Sequence, residues 1–294
     1  MVTESTLAAW TGPSSDTEQE KQDRTERMIR EAIAAHPAFR DCSLSIYAKG
    51  SYANNTNVRA DSDVDIAVEC TDVEYWEEAS PGIHAPGAPY QGIWTPAKLR
   101  MELTAALSET FRQNVDSSGS TAIQINSGTA RLDADVVPCF SYTYYLPDSE
   151  PRRGTKIFTK SGAGIVNYPA QQLERGRTKN VGTSYAFKKA VRILKRVENA
   201  MVTARVHQGL PSYFIECLGY NCPDSVFGAD TWTEIVRNML VHIWSELDGN
   251  EPDDVARRWV EVNECFYLFH HAQKWKRADG RAFASVAWAH LGYT

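Results

Sequence analysis

The residues best suited to chemistry in this sequence are aspartates that follow a Gly-Ser pair. Gly50-Ser51 comes first, Asp63-Val64-Asp65 comes next, and Asp135 stands much later, directly before Val136-Val137-Pro138. Mg²⁺ prefers oxygen ligands, keeps several waters, and usually binds through a few carboxylates together with substrate phosphates. With no His or Cys beside them, these carboxylates favour Mg²⁺ or Mn²⁺ over zinc. Asp-x-Asp pairs are common at strand edges, so the ordered set, rather than any one member, indicates a metal site.

A strand over residues 63–69 explains how two of these carboxylates converge. Alternate positions turn its valines and isoleucine toward a core, while Asp63 and Asp65 share the opposite, open face. Residues two apart on a strand are roughly 6.5–7 Å apart. Their side chains can therefore reach a pair of cations about 3.5–4 Å from each other. Asp61 precedes the strand in a loop and ranks third of the three.

A second strand is predicted over residues 131–137, where Asp133 and Asp135 share a face opposite three apolar residues. If it lies beside the first strand, one of these two aspartates completes a three-carboxylate site. Gly50-Ser51 supplies flexible backbone and exposed amides, which suit the close approach of phosphate oxygens. Alone, it would be an ordinary turn.

Basic residues are predicted on one face of an amphipathic helix over residues 183–204. An apolar stripe contains Phe187, Val191 and Leu194. Another face carries cations spaced at i, i+4 and i+7, namely Lys188, Arg192 and Lys195. In an isolated helix these would be a solvated basic face, but opposite a metal site they could pair with a triphosphate.

Three further side chains are candidates for nucleotide contacts. Ser212 and Tyr213 begin a predicted helix, where the serine could bind phosphate and the tyrosine could stack on a base, a contact worth about 1–3 kcal/mol. An N-cap serine beside a core tyrosine is the alternative. The amide of Asn180 could pair with the edge of uracil. An asparagine that caps a helix start explains it at least as well.

Composition limits the classes of protein that this chain can be. At 43% hydrophobic residues over 294 positions, it can bury a substantial core. A formal charge of −6 opposes broad nucleic-acid binding, which requires a positive surface. No run approaches the roughly 18 apolar residues of a membrane span, and the N-terminus lacks the pattern of a signal peptide. The six cysteines are scattered without zinc-like spacing, so we expect reduced thiols and a cytoplasmic location.

The element pattern predicts an α+β fold in two domains. A helix is expected at residues 16–36, a strand at 43–49, a Pro/Gly-rich loop at 78–92, a helix at 96–115, and strands near 121–126, 130–137 and 139–146. From about residue 155 onward the pattern is largely helical. We therefore expect a mixed-sheet catalytic domain over residues 1–154 and a helical nucleotide-binding domain over 155–294, with the active site in the cleft between them.

The motifs together resemble the nucleotidyltransferase superfamily related to DNA polymerase beta. More narrowly, the chain is similar to the cGAS/DncV-like nucleotidyltransferases of bacterial antiphage (CBASS) signalling, relatives of oligoadenylate synthase. The matching segments are Gly50-Ser51-Tyr52, Asp63-Val64-Asp65-Ile66, Asp133-Ala134-Asp135-Val136-Val137-Pro138, Lys179-Asn180-x-x-Thr183, Phe187-Lys188-x-x-Val191-Arg192-x-x-Lys195 and Leu210-Pro211-Ser212-Tyr213.

This resemblance implies a polymerase-beta-like core in which Asp63, Asp65 and Asp135 hold two Mg²⁺ or Mn²⁺ ions. Asp135 is preferred over Asp133 because it directly precedes Val-Val-Pro. The resemblance also implies that Lys195 contacts phosphate. No Cys/His zinc insertion like that of the vertebrate DNA sensor is present, so activation by DNA is not expected.

The implied activity is template-independent synthesis of a cyclic di- or oligonucleotide second messenger from ribonucleoside triphosphates. The substrates would be ATP plus UTP or another nucleotide, with cyclic UMP-AMP as one product, read by a separate effector protein in antiphage defence. Two alternatives stay open. The protein could make linear oligoadenylate or modify an RNA end, or it could be a non-catalytic nucleotide sensor on the same fold.

Overall fold

The computed structural model describes residues 2–13, 15–58, 63–84, 87, 90–129, 131–147 and 149–293. Within them the fold is α+β, as predicted. The strands are β1 (Leu44–Lys49), β2 (Val64–Glu78), β3 (Val115–Asp116), β4 (Ile123–Ile125), β5 (Ala134–Tyr145), β6 (Arg152–Phe158) and β7 (Gly164–Asn167). The helices are α1 (Glu4–Ala9), α2 (Asp16–Ala35), α3 (Gly50–Ala53), α4 (Pro96–Phe111), α5 (Pro169–Gly182), α6 (Ala186–Thr203), α7 (Ser212–Tyr220), α8 (Trp232–Glu246) and α9 (Arg277–Leu291).

One mixed sheet joins the strands in the order β1-β2-β5-β4-β3, and β6 and β7 extend it from the far half of β5. Only β2 and β5, among the strand pairs described, run parallel. The valine–isoleucine face of β2 is fully buried, and it packs with α2 and α4 in the main core of the sheet. The predicted alternation along this strand is therefore confirmed.

The strand β5 replaces two strands that the sequence predicted separately. Pro138 lies within it, opposite Val68 of β2. On the other edge of β5, pairing with β4 ends at Val136 and pairing with β6 begins at Cys139. Pro138 has no amide hydrogen, and it stands where that edge changes partners, so the strand continues through it.

Other boundaries depart from expectation in both directions. The strand β2 continues to Glu78, beyond the predicted end at residue 69, with a shift of register between Cys70 and Glu74. The expectation of helix from residue 155 onward is wrong for β6 and β7. These strands are short and rich in polar residues, so they lack the apolar alternation that identifies a buried strand.

The described chain forms two compact units. The sheet unit comprises Ser15–Ala53 and Arg59–Pro169, and the helical unit comprises Met1–Ser14, Asn54–Val58 and Ala170–Thr294. This division differs from the predicted boundary after residue 154 because β6 and β7 belong to the sheet. It differs also because two short segments from early in the chain, Met1–Ser14 and Asn54–Val58, belong to the helical unit. A second apolar core, formed mainly by α6, α7, α8 and α9, lies inside the helical unit.

No helix in the described part of the chain combines the length and the apolar character that a bilayer span requires. The expected cytoplasmic location stays a prediction.

Candidate active site

The three predicted aspartates lie together at one end of the parallel strand pair. Asp65 of β2 and Asp135 of β5 are register partners, which places their backbones about 4.8 Å apart on adjacent strands. Asp63 precedes β2 and is exposed. We call Asp63, Asp65 and Asp135 the aspartate cluster. Asp61 lies outside the described residues.

Burial and mutual repulsion both act on the cluster. Burial raises the pKa of Asp65 to about 6; the Lys49 cation opposite it on β1 lowers that pKa, and Asp135 and Asp63 raise it again. The pKa of Asp63 is also raised, first by burial and then by Asp135 and Asp133. Within the part of the chain that the structure describes, one carboxylate oxygen of Asp135, Oδ1, is buried without a hydrogen-bond partner. Such an arrangement is costly without a cation, because negative charges are held close together away from water.

Gly50 places the backbone of the Gly-Ser turn against the same carboxylates. Its φ of +70° lies in the left-handed region, and a Cβ there would stand 2.1 Å from Oδ2 of Asp65. Glycine is therefore required twice, for backbone conformation and for close approach. Ser51 follows in the single turn α3 and is half-buried.

Side chains of the long helix α2 form hydrogen bonds with two of the segments that carry the site. The hydroxyl of Tyr52, buried just after the Gly-Ser pair, donates to Glu18 at 2.7 Å. The amide of Leu132, just before β5, donates to Thr25 Oγ1 at 3.0 Å. These bonds fix the Gly-Ser turn and the entry to β5 on one rigid element.

Hydrogen bonding distinguishes the two candidate ligands of β5 and its approach, Asp135 and Asp133. The carboxylate of Asp133 accepts a short hydrogen bond from the amide of Ser127, so it stabilises the preceding loop. Oδ1 of Asp135 accepts no such hydrogen bond from the described residues. This geometry favours Asp135 as the metal ligand, although the ligand roles stay predictions.

The cations predicted on α6 are buried rather than solvated. Lys188, Arg192 and Lys195, which we call the basic face, are at most 8% exposed. Arg192 donates to the carbonyls of Thr11 and Asn55. It thereby ties two early segments of the chain to α6.

Lys195 belongs to a buried network within the helical unit. Its ammonium donates to Glu216 at 2.9 Å and to the carbonyl and Oγ1 of Thr56, both at 3.1 Å. The hydroxyl of Thr56 donates in turn to Glu216 at 2.6 Å. The three donors of the ammonium are thus satisfied by the protein itself. A phosphate contact for Lys195 stays a prediction, and it would require one of these partners to be exchanged.

Asn180 lies in the last turn of α5, and its side chain and that of Thr183 bond to the first turn of α6. Oδ1 of Asn180 accepts from the amide of Lys188 at 3.0 Å, and Oγ1 of Thr183 accepts from the amide of Phe187 at 3.1 Å. Both side chains satisfy amides that an α-helix leaves open at its first turn. The bond to Lys188 supports the capping interpretation of Asn180.

Ser212 and Tyr213 begin α7, as predicted. Ser212 is exposed, and Tyr213 is half-buried with its hydroxyl donating to Glu261 at 3.2 Å. The bond orients the phenol, and its ring packs against the helical core beside Trp275, as the core-tyrosine alternative predicted. Neither side chain is committed to the helix cap, because Pro211 occupies that position without a side-chain cap bond.

Sequence reasoning missed three residues that shape these regions. Lys49 lies directly across from Asp65, and Thr56 and Glu216 complete the network of Lys195. The position of Lys49 beside Gly50 was a usable signal once β1 was predicted. Thr56 and Glu216 are 160 residues apart, and no local pattern links them.

Comparison with known proteins places the chain in a family. The model of the cGAS/DncV-like nucleotidyltransferase C-terminal helical domain matches residues 174–292. A cyclic dipyrimidine nucleotide synthase, CdnE, of Legionella pneumophila is 34% identical, with 98% of this chain and 97% of that protein covered. The chain belongs to the cGAS/DncV-like nucleotidyltransferases, and the predicted family is confirmed.

Two solved structures of related enzymes share the whole fold. The Rhodothermus marinus CdnE c-UMP-AMP synthase, solved with Apcpp and Upnpp, has a TM-score of 0.85 at 26% identity and covers 100% of this chain and 99% of its own. The Elizabethkingia meningoseptica CdnE cyclic dinucleotide synthase, solved with GTP and Apcpp, has a TM-score of 0.83 at 30% identity, with 99% of both chains covered. These relatives differ in the bases they bind, so similarity alone does not select a substrate pair.

Proposed function

We propose that this nucleotidyltransferase joins ribonucleoside triphosphates into a cyclic di- or oligonucleotide messenger, which a separate effector protein reads in antiphage defence. The observation that supports this most is the register of Asp65 against Asp135, with a buried carboxylate oxygen of Asp135 left without a partner. A pure sensor would have no need of such a strained set of acids. Two relatives that are 34% and 30% identical to this chain are cyclic nucleotide synthases.

The aspartate cluster fits two Mg²⁺ or Mn²⁺ ions. Its donors are all carboxylate oxygens, and the raised pKa values of Asp63 and Asp65 indicate that neighbouring groups only partly compensate their negative charge. When bound, such ions lower the pKa of an attacking hydroxyl and neutralise charge on the phosphates. Asp63, Asp65 and Asp135 would hold these ions.

The chain's own residues would orient the reaction. The ribose hydroxyl oxygen attacks the α-phosphorus of a second nucleotide, a new O–P bond forms, and the bond to pyrophosphate breaks. Asp135 would orient this hydroxyl and accept its proton as the new bond forms. Gly50 and Ser51, held against Asp65, would position phosphate oxygens. A second attack within the linear intermediate closes the ring and releases a second pyrophosphate.

Nucleotide recognition is assigned to the helical unit. We propose that Ser212 binds phosphate through its exposed hydroxyl and that Tyr213 stacks on a base. With Oδ1 of Asn180 engaged by α6, its amide nitrogen would donate to a base acceptor such as the carbonyl oxygen of uracil. We propose ATP plus UTP as the substrate pair and cyclic UMP-AMP as the product, because a uracil carbonyl is one acceptor that this amide could bind. Lys195 would contact phosphate by exchanging Thr56 or Glu216 for it.

Product analysis tests the proposed function. The purified chain is incubated with the four ribonucleoside triphosphates and Mg²⁺ or Mn²⁺, and the products are treated with phosphatase and identified by mass spectrometry. We expect a phosphatase-resistant cyclic product that the Asp63→Asn, Asp65→Asn double variant does not make. A product with a removable terminal phosphate would instead identify a linear synthase. Absence of pyrophosphate release under every activating condition would identify a sensor.

A further inference from the structure

A second cluster of metal-type ligands lies on the opposite face of the sheet from the aspartates. Cys42 precedes β1, and Cys70 and Asp72 lie in β2, yet one ligand atom from each lies within 4.8 Å of the other two. Cys70 is five residues along β2 from Asp65, which is about 17 Å, and it faces the main core rather than the aspartate cluster. The two clusters are therefore separate.

The two sulfurs have the spacing of ligands on one ion. Sγ of Cys42 and Sγ of Cys70 are 3.8 Å apart, and both cysteines are free thiols. A tetrahedral zinc ion with Zn–S bonds of about 2.3 Å separates two sulfurs by about 3.8 Å. A disulfide would bring them to about 2.05 Å. The observed separation is that of a hydrogen bond between the two thiols, and a bound ion could replace this contact without moving the sulfurs apart.

Burial raises the pKa of the Cys70 thiol, and hydrogen bonding from the backbone of Asp72 and Val73 partly offsets that rise. These backbone groups can bond to the thiol because β2 shifts register against β5 between Cys70 and Glu74, which frees this stretch from the regular ladder. A bound cation would stabilise a thiolate at this position in place of the buried thiol.

The third ligand is fixed by the neighbouring loop. Oδ2 of Asp72 accepts from the amide of Ser43 at 3.0 Å, and the amide of Thr71 donates to the carbonyl of Ser43 at 2.9 Å. These bonds connect the segment of Cys42 to the segment of Cys70. Asp72 is exposed, so ions can enter from solvent.

We propose that Cys42, Cys70 and Asp72 bind one thiophilic divalent cation of the zinc class, with water in the fourth position. Binding releases the two thiol protons to solvent and joins the start of β1 to the irregular stretch of β2. Sulfur ligands select such an ion over Mg²⁺, whereas the all-oxygen aspartate cluster has the reverse preference. The chain would then hold two kinds of metal site that do not compete.

Cadmium titration tests this site. The reduced full-length chain is freed of metal, excess Mg²⁺ is added to occupy carboxylates, and Cd²⁺ is titrated while the thiolate-to-metal charge-transfer absorption is recorded. We expect one Cd²⁺ per chain, and a rise in melting temperature when it binds. The Cys42→Ser and Cys70→Ser variants should lose the absorption. Cys265→Ser, which removes another partly exposed thiol, should keep it.

The exposed Asp72 provides a variant that does not disturb the core. Asp72→Asn should weaken Cd²⁺ binding by about tenfold or more, since even loss of an outer partner of a metal ligand costs that much. No charge-transfer absorption in the reduced wild type, or equal absorption in both cysteine variants, overturns the proposal. Air oxidation to a Cys42–Cys70 disulfide without Cd²⁺ binding by the reduced chain overturns it as well. None of these readouts depends on nucleotide synthesis.

Discussion

The aspartate cluster of the sheet unit and the basic face of the helical unit hold charge in opposite ways. In the cluster, like charges are brought together and partly buried, so that the pKa of Asp65 rises to about 6. In the basic face, Lys195 is more completely buried but is paired with Glu216 at 2.9 Å. The first region is electrostatically incomplete without a ligand, whereas the second is complete.

Whether the protein compensates a buried charge distinguishes these two sets of residues better than their residue types do. From the sequence, both sets are predicted to contact the nucleotide or its metals, because aspartates bind metal ions and lysines bind phosphates. The structure shows that Lys195 and Arg192 also hold Thr56, Asn55 and Thr11 in place. Loss of a cluster residue should therefore affect activity alone, and loss of a basic-face residue should affect stability.

The sharpest form of this contrast is the pair Asp135→Asn and Asp133→Asn. We expect Asp135→Asn to lower the rate of synthesis by about a thousandfold, since loss of a metal ligand costs several kcal/mol of transition-state stabilisation. Its melting temperature should be unchanged or higher, because a repulsive charge is removed. Asp133→Asn should remain active, because the amide oxygen can still accept from Ser127. Rates of pyrophosphate release and thermal melts measure both; similar activity in the two variants would contradict the assignment.

Lys195→Met should show the opposite balance. It leaves Glu216 buried and uncompensated, so the free energy of unfolding should fall by about 3–5 kcal/mol. The double variant Lys195→Met, Glu216→Met removes both charges and should recover much of that loss. Urea unfolding of Lys195→Met, of Glu216→Met and of the double variant gives the coupling free energy between the two side chains. Additive losses would mean that the ion pair is not the stabilising unit.

Gly50→Ala should displace the cluster without removing a charge. The new Cβ would overlap Oδ2 of Asp65, so we expect about a hundredfold loss of synthesis, the size of effect that a misplacement of about 1 Å produces. Gly82→Ala is the matched control, since Gly82 also has a positive φ, +87°, but open space at the Cβ position. Equal activity in both variants would show that contact with Asp65 does not matter.

The pH dependence of metal binding should reveal the raised pKa of Asp65. Below about pH 6 a metal ion must displace a proton, so Mn²⁺ affinity should fall by up to about tenfold per pH unit. In the metal-free protein this group makes stability fall as pH rises through about 6, because its folded pKa lies above its unfolded value of 3.8. Calorimetric titration with Mn²⁺ on both sides of pH 6 measures the first effect. A constant affinity would place Asp65 outside the metal site.

Much of the aspartate cluster was readable from the sequence because its signal is local. Alternation along β2 identified the open face of Asp63 and Asp65, and the helix start at Ser212 followed Pro211. Each of these depends on residues within a few positions of one another. The pairing of Asp65 with Asp135 was inferred from the family pattern, and the register confirms it.

The features that were missed depend on distant or irregular contacts. Cys42 and Cys70 meet only because β1 and β2 are antiparallel and β2 loses its regular register after Cys70. Lys195 is neutralised by a residue on the next helix and by Thr56, which is far away in sequence. Spacing along the chain gives the face of a helix, but it does not give what that face contacts.

The measurement that tests the central claim most directly is anomalous scattering from crystals of the protein grown with Mn²⁺ and a non-hydrolysable nucleoside triphosphate. We predict two manganese peaks, both bound by Asp63 and Asp65, and one of them also by Asp135. Manganese bound elsewhere, or a single peak that leaves Asp135 without a ligand contact, would contradict the account.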